Sequence, residues 1–176
     1  MISPWRDPND DVPRLECGVF GVFGVPDAST IAALGLHALQ HRGQEACGIA
    51  AFDGQRFHTE RHMGHVGDAF GGADLATRMP GAMAIGHTHY STAGGSFLRN
   101  VQPMFADLEA GGVALAHNGN LTNFLTLRER LVGEGAIFQS TSDSEVTSTW
   151  RCRSRRGTSS CPASWTMAFS SSRGAS

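Results

Sequence analysis

Residues 17–24 read CGVFGVFG, and this run predicts the first strand of the protein. Only valine and phenylalanine stand between its glycines, and these residue types favour a buried β-strand. Cys17 would then lie at the start of a strand, at the edge of a sheet. If the bond between Glu16 and Cys17 were cut, one residue would carry a thiol nucleophile and a free α-amine as its base. The alternative is a small cysteine that only packs in the core.

The composition favours a single domain that acts on a small polar substrate. The chain has 176 residues and a formal net charge of −2, and no block of like charge stands in its first 150 residues. Neither a nucleic acid nor an anionic membrane surface is therefore an expected partner. No run is long enough to span a membrane. Residues 1–16 contain three prolines and no apolar core, so they are not a secretory signal. The four cysteines have no CxxC spacing, which suits a cytoplasmic location.

Residue patterns predict an α+β arrangement of strands with flanking helices. Strands are expected at 18–23, 48–52, 56–61, 82–87 and 113–117. A first helix should begin at Ser29 as its N-cap and end near residues 41–43. A second helix should follow a cap at Thr122 or Asn123, and the pair Ser142 and Glu145 resembles the capping box of a third.

Residues 151–176 differ from the rest of the chain. They contain eight serines and five arginines, no acidic residue and no apolar period. We interpret this segment as either a disordered basic tail or non-native sequence of the kind produced by reading a GC-rich gene out of frame. The predicted organisation is therefore a propeptide at 1–16, a domain at 17–150 and a tail at 151–176.

Two polar patterns could carry chemistry. Residues 117–120, HNGN, follow the apolar run 113–116, so an amide side chain and a glycine N–H emerge together from a strand, as an oxyanion hole requires. The alternative is a simple Asn-Gly turn. His58, His62 and His65 have helical spacing that suits a metal, but their segment reads as a strand and turn without an HExxH pattern. No metal site is therefore predicted.

Six ordered motifs resemble those of class II glutamine amidotransferases. They are CGVFG at 17–21, GLHALQHRGQE at 35–45, GHTHYSTAG at 86–94, VQP at 101–103, HNGNL at 117–121 and TSDSE at 141–145. Within that class the chain is most similar to the amidophosphoribosyltransferase family. Residues 39–45 favour this family over the glucosamine-6-phosphate synthase branch, in which a tyrosine normally precedes the Arg-Gly pair.

The resemblance implies a role for individual residues. Leader removal would expose Cys17, whose thiolate attacks the side-chain amide carbon of glutamine with the α-amine as base. Asn118 and the Gly119 N–H would hold the oxyanion. Asp143 matches the residue that pairs with the substrate α-ammonium, although its alternative role is to cap a helix. The remaining matches, which line the pocket, are Arg42 and Thr92.

His89 departs from the family pattern. The family normally has arginine at this position, where it grips the substrate α-carboxylate. A guanidinium stays charged and binds a carboxylate bidentately, whereas a free imidazole is mostly neutral at pH 7. We therefore predict weak glutamine binding, which improves in His89→Arg and below pH 6.5. A sequence error at this position is the alternative.

The resemblance also implies a fold and a wider context. It implies the N-terminal-nucleophile hydrolase fold, a four-layer αββα sandwich, here expected to be truncated. The implied activity is hydrolysis of glutamine to supply ammonia for phosphoribosylamine, in the first committed step of purine synthesis. Family members are homo-oligomers, and their magnesium and, in some members, iron–sulfur cluster belong to a C-terminal part, so no cofactor is expected in this chain. The alternatives are an inactive fragment, a noncatalytic glutamine-binding domain, or an amidotransferase with another acceptor.

Overall fold

Two antiparallel sheets with helices packed on them form the protein. The computed structural model describes residues 17–90, 97–108, 111–119, 121–154 and 166–170. The strands are β1 (Gly18–Phe23), β2 (Ala46–Phe52), β3 (Phe57–Met63), β4 (Met83–His89), β5 (Met104–Leu108), β6 (Gly111–His117) and β7 (Thr166–Ser170). The helices are α1 (Ala28–Ala38), α2 (Val66–Phe70), α3 (Leu75–Arg78), α4 (Phe124–Gly133) and α5 (Asp143–Ser154), with 3₁₀ turns at Gln40–Arg42 and Leu98–Asn100.

The first sheet has the strand order β1-β4-β2-β3, and all of its strands were predicted. Strand β4 lies between β1 and β2, with Gly18 opposite Thr88 and Gly48 opposite His87. Strand β4 extends two residues beyond its predicted end, so His89 belongs to the strand. The second sheet has the order β5-β6-β7. Of its strands only β6 was predicted.

One face of the first sheet packs against α1, α2 and α3. Alternate residues of β2 point to this side, and the alanines and Leu36 of α1 cover them. The shared core includes Leu36, Ile49, Phe70 and Met79, all fully or almost fully buried. This layer holds the sheet that carries Cys17.

The opposite face of the first sheet packs against the second sheet. Ala50 and Ile85 of the first sheet form one buried cluster with Ala114 and Ala116 of β6. Because three of the four are alanines, the sheets approach closely. Helix α5 packs on β5 and β6 from the far side. The order of layers is thus helix, sheet, sheet and helix, as the family resemblance implied.

Helix boundaries differ from prediction in two places. The predicted N-cap of α1, Ser29, is wrong: α1 begins after Asp27, which has a left-handed backbone (φ 54°), and Ser29 is buried within the first turn. At α5, Ser142 does accept a hydrogen bond from the Ser144 N–H at 3.1 Å. Glu145 does not complete the predicted box, however, because its carboxylate accepts the Ser140 N–H and hydroxyl instead.

The structure describes part of the segment predicted as a tail and none of the predicted propeptide. Helix α5 runs to Ser154 and β7 spans Thr166–Ser170, so both elements reach into the segment predicted as a tail. The predicted propeptide, 1–16, and Thr92 lie outside the described residues. Within the described parts of the chain, no helix combines the length and apolar character needed to cross a membrane.

Candidate active site

Cys17 lies directly before β1, beside the end of β4. Its Sγ accepts the Tyr90 N–H at 3.4 Å and lies 4.0 Å from His89 Nδ1. The side chain is half-buried. A thiol in this position is held at a sheet edge but can still be reached by a small molecule.

Two predicted site residues hold the main chain of Cys17. Its carbonyl accepts hydrogen bonds from Asn118 Nδ2 and from Arg42 Nε, the latter at 3.3 Å. Cys17 lies directly before β1, Arg42 in the turn after α1, and Asn118 directly after β6. The fold therefore brings Cys17, His89, Arg42 and Asn118 together from four separate motifs.

Arg42 is positioned by its neighbours in the Gln40–Arg42 turn. Gln40 Nε2 donates to the Gly43 carbonyl at 2.6 Å, and its Oε1 accepts the Val66 N–H at 2.7 Å. Gly43 passes so close to β4 that a Cβ there would lie 2.7 Å from the Thr88 carbonyl carbon. The glycine is therefore needed to bring the Arg42 turn against the strand that ends in His89.

Asn118 is positioned by a buried side chain for which no role was predicted. Gln102 Oε1 accepts the His117 N–H at 2.7 Å, and its Nε2 donates to the His117 carbonyl at 3.2 Å and to Ser144 Oγ at 2.8 Å. These bonds tie the end of β6 to α5, one residue before Asn118. The VQP motif at 101–103 contained the signal, but the contacts span 15 and 42 residues, so the partners could not be read from it.

Asp143 lies in the first turn of α5, against the loop that follows Asn118. Its Oδ2 accepts the Leu121 N–H at 2.8 Å. The carboxylate thus ties the start of α5 to Leu121, three residues before α4 begins. Gly119 is exposed in that loop.

Burial keeps the histidines of the site neutral. It lowers the pKa of His87 to about 3; the charges of His89 and His117 act in the same direction, and the His117 backbone opposes them. Burial also lowers the pKa of His89, against the opposing charge of Glu45. The His89 ring therefore becomes charged only at a pH below the pKa of a free imidazole.

The second described thiol lies on the other face of the sheet. Cys47 is fully buried in the cluster under α1, and burial, assisted by the charge of Asp68, raises its pKa to about 12. A thiol with this pKa has almost no thiolate at neutral pH and is not a nucleophile. Of these two cysteines, only Cys17 suits chemistry.

Metal-ligating side chains come together at one point of the site. Cys17, His87 and His89 each offer a ligand atom, and these atoms lie within 4.8 Å of one another. No sequence spacing had indicated this group. The alternation of side chains along β4 places the two histidines on one face. To predict that Cys17 lies beside them, one would have had to know that β4 pairs with β1. The predicted strand character of His58 and His62 is confirmed, since both lie in β3.

Comparisons with known proteins agree with the fold. Residues 91–167 match the model of a family described as glutamine amidotransferase domain. Amidophosphoribosyltransferase from Rhizobium etli is 58% identical over 158 residues, which are 89% of this chain and 32% of that protein. Amidophosphoribosyltransferase from Lacticaseibacillus casei is 53% identical over 133 residues, covering 74% of this chain and 68% of that protein.

A solved structure shows the same architecture. Glutamine phosphoribosylpyrophosphate amidotransferase from B. subtilis, in complex with ADP and GMP, superposes with a TM-score of 0.71 at 41% identity and covers 80% of this chain and 30% of its own. The chain thus spans about a third of the length of most of these relatives. Its fold is that of the N-terminal-nucleophile hydrolases.

Proposed function

The chain belongs to the amidophosphoribosyltransferase family, and from this premise we propose that it is the family's glutamine-hydrolysing domain. In this role it releases ammonia from the side chain of glutamine. The ammonia serves phosphoribosylamine formation, the first committed step of purine synthesis. The observation that carries the proposal is the position of Cys17, whose thiol lies at a sheet edge while Asn118 bonds to the same residue.

Removal of residues 1–16 would turn Cys17 into an N-terminal nucleophile. The α-amine, with an ordinary pKa of about 7.7 to 8.0, then accepts the thiol proton, directly or through a water. The thiolate attacks the amide carbon of glutamine, and the amide oxygen becomes an oxyanion. As the C–N bond of glutamine breaks, the protonated α-amine of Cys17 gives its proton to the leaving nitrogen, and ammonia departs. Water then hydrolyses the γ-glutamyl thioester, which frees glutamate and the thiol.

Asn118 and Gly119 are the proposed donors to the oxyanion. A primary amide nitrogen has two hydrogens. One N–H of Asn118 holds the Cys17 carbonyl, so the other is available to a charge that develops beside Cys17. The exposed Gly119 N–H supplies the second bond. Loss of one such donor typically costs about 100- to 1,000-fold in rate.

The remaining predicted residues are assigned to substrate binding. Arg42 and Thr92 line the pocket, His89 faces the substrate α-carboxylate and Asp143 pairs with the α-ammonium. We further propose that the protein acts in the cytoplasm and that, like its family, it forms homo-oligomers. We assign the transfer of ammonia to the phosphoribosyl acceptor, and the magnesium that this step needs, to the part of the relatives that this chain does not match.

Glutamate release from glutamine tests the proposal, with Cys17→Ser as the matched variant. Serine preserves the size of the side chain but replaces the thiol, so glutamate release should fall to background. Cys47→Ser is the control, because Cys47 lies on the opposite face of the sheet. Turnover that survives in Cys17→Ser would rule out the mechanism. N-terminal sequencing of the purified protein should find Cys17 as the first residue.

A glutamine-binding domain without turnover is the second candidate. It is favoured by His89, whose burial keeps it neutral where the family has a guanidinium. This candidate predicts that glutamine binds, as measured by calorimetry, without release of glutamate from the wild-type chain.

A further inference from the structure

We propose that Cys17, His87 and His89 form a binding site for Zn²⁺ at the sheet edge. One thiol and two imidazoles are ligands that zinc prefers, and catalytic zinc sites with three protein ligands keep a fourth position open. The site would place a metal ion on the sulfur of the proposed nucleophile. Binding itself does not depend on the proposed function, although its effect on turnover does.

The sheet brings the three side chains together. His87 and His89 are two residues apart on β4, so they point to the same face. Because Gly18 lies opposite Thr88 in the antiparallel pairing, Cys17 comes beside His89. The Cys17 sulfur lies 4.0 Å from His89 Nδ1, and all three ligand atoms are within 4.8 Å of each other.

His87 supplies a second, independent observation. Its side chain is fully buried, and within the described chain neither ring nitrogen meets the geometry of a hydrogen bond, although the His117 backbone lies near enough to act on its pKa. Buried polar groups are nearly always paired, and an unpaired one costs about 1–3 kcal/mol. A metal ion bound to one ring nitrogen would replace the missing partner. A role in packing alone would leave this cost unexplained.

The separations are close to those of a bound zinc ion. Bonds of about 2.3 Å to sulfur and about 2.0–2.1 Å to nitrogen place tetrahedral ligand atoms roughly 3.5 Å apart. The three atoms must therefore approach by up to about 1.3 Å. Cys17 and His89 are only half-buried and can turn toward His87, which is fixed in the core. The carboxylate of Glu45 acts on His89 and adds negative charge that favours a cation.

A bound Zn²⁺ would block the nucleophile. The thiol gives up its proton to solvent when the sulfur–zinc bond forms, and the sulfur lone pair is then held by the metal. Glutamine hydrolysis would stop until a chelator removes the ion. We therefore expect reversible inhibition that depends on His89.

Titration of the full chain with Zn²⁺ and Co²⁺ tests the site. Zn²⁺ affinity is measured against a chromophoric chelator, and Co²⁺ reports its ligands through d–d bands and a sulfur-to-cobalt charge-transfer band. Serine replaces Cys152 and Cys161 in a parallel sample, which removes their thiols. We expect one ion per chain and a charge-transfer band that disappears in Cys17→Ser.

The histidine variants decide whether the site is the one proposed. Mutation of a residue that only hydrogen-bonds to a metal ligand typically lowers metal affinity about 10- to 100-fold. Loss of a ligand itself in His89→Gln should therefore lower the Zn²⁺ affinity at least about 100-fold. His62→Gln is the matched control, because His62 lies in β3 and pairs with Glu60. Since His89 is half-buried, its variant should fold even if His87→Gln does not, and circular dichroism checks this. The absence of stoichiometric binding, or equal affinity in His89→Gln and the wild type, would overturn the proposal.

The readouts separate this site from the proposed function. If glutamate is never released but the cobalt bands appear and respond to Cys17→Ser, the metal site stands and the glutaminase does not. If glutamate is released and Zn²⁺ neither binds nor inhibits, the reverse holds.

Discussion

Hydrogen bonds position both the main chain and the sulfur of Cys17. Asn118 and Arg42 donate to its carbonyl, and its sulfur accepts the Tyr90 N–H at 3.4 Å and lies 4.0 Å from His89 Nδ1. A nucleophile gains rate when it is positioned before it attacks. The same position brings the sulfur beside a metal-ligating histidine.

Replacement of His89 by arginine should improve glutamine binding. A guanidinium can form two charge-assisted bonds to a carboxylate, which the neutral imidazole cannot. Hydrogen bonds to charged groups contribute about 1.5–3 kcal/mol, so the KM for glutamine should fall about 10- to 100-fold. Steady-state glutamate release measures it. His62→Arg adds the same charge to β3 and should leave KM unchanged. Equal KM values in the wild type and His89→Arg would place His89 outside the pocket.

The two described thiols should differ sharply toward alkylation. The pKa of Cys47, raised to about 12, leaves roughly one molecule in 10⁴ as thiolate at pH 8, and its side chain is fully buried. Iodoacetamide should therefore label the half-buried Cys17 in the native protein and Cys47 only after denaturation. Peptide mass spectrometry before and after unfolding checks this. Labelling of Cys47 at the rate of Cys17 in the folded protein would contradict the assigned burial.

At the scale of elements, β4 is the strand on which the site depends. It pairs with β1 on one side and β2 on the other. Its two faces contact different layers: Ala84 and Gly86 face the helices, while Ile85 and His87 face the second sheet. One strand thus joins the helical core to the site.

Helix α1 is held close to β1 by a glycine. An alanine Cβ at Gly35 would lie 2.5 Å from the ring of Phe20, whereas nothing lies within 4 Å of the same atom at Gly133 in α4. Helix propensity favours alanine at both sites, by up to about 1 kcal/mol. We expect Gly35→Ala to lower the free energy of unfolding by about 1–3 kcal/mol through overpacking and Gly133→Ala to raise it slightly. Chemical denaturation measures the free energy of unfolding of both variants. A change of the same sign in the two would refute the close packing of α1 on β1.

The hairpin between β2 and β3 should weaken in acid. Asp53 accepts hydrogen bonds from the Gln55 and Arg56 N–H groups and contacts His58, and these bonds, that of Arg56 foremost, hold its pKa well below the usual range. A lowered carboxyl pKa contributes stability above the unfolded-state pKa of about 3.9, and this is lost as pH falls.

Asp53→Ala tests this contribution. The variant should be about 1 kcal/mol less stable at pH 7, or less because the site is near the surface, and closer to the wild type at pH 3. Thermal unfolding at both pH values measures the difference. Glu129→Ala, in an exposed part of α4, is the matched control, and equal losses of stability in the two variants would contradict the role of Asp53.

At the scale of the whole molecule, the site exists because two sheets pack together. His89 belongs to the first sheet, Cys17 directly precedes strand β1 of that sheet, and Asn118 follows β6 of the second. The cluster of Ala50, Ile85, Ala114 and Ala116 sets the distance between them. The site therefore depends on a core to which most of its residues do not belong.

Truncation of Ile85 should therefore damage both stability and the site. The side chain is fully buried between the sheets, and loss of such a group typically costs 2–5 kcal/mol, a large part of the 5–15 kcal/mol of an ordinary domain. Ile85→Ala should lower the melting temperature and the affinity for Zn²⁺ together. Ile137→Ala removes the same atoms from a side chain that is 87% exposed and should change stability by less than about 0.5 kcal/mol. Similar effects in the two variants would argue against a shared inter-sheet core.

Local residue patterns were sufficient for much of this protein. The strands β1 to β4 and β6 were predicted because buried strands need runs of apolar residues between glycines. The helices α2 and α3, five and four residues long, are too short to show a helical period, and strands β5 and β7 were missed as well. The motifs predicted a role for Cys17 and for Asn118, and the structure brings the two residues into contact.

What the patterns could not supply was register. Gln102 orders Asn118 through bonds across 15 and 42 residues, and His87 joins Cys17 across a strand pair 70 residues apart. Such contacts depend on which strands pair and on which face each residue lies, and a shift of one residue would turn every side chain to the other face. Composition and spacing therefore established the kinds of residue and their motifs. Long-range hydrogen bonding and the packing of the two sheets established which of them meet.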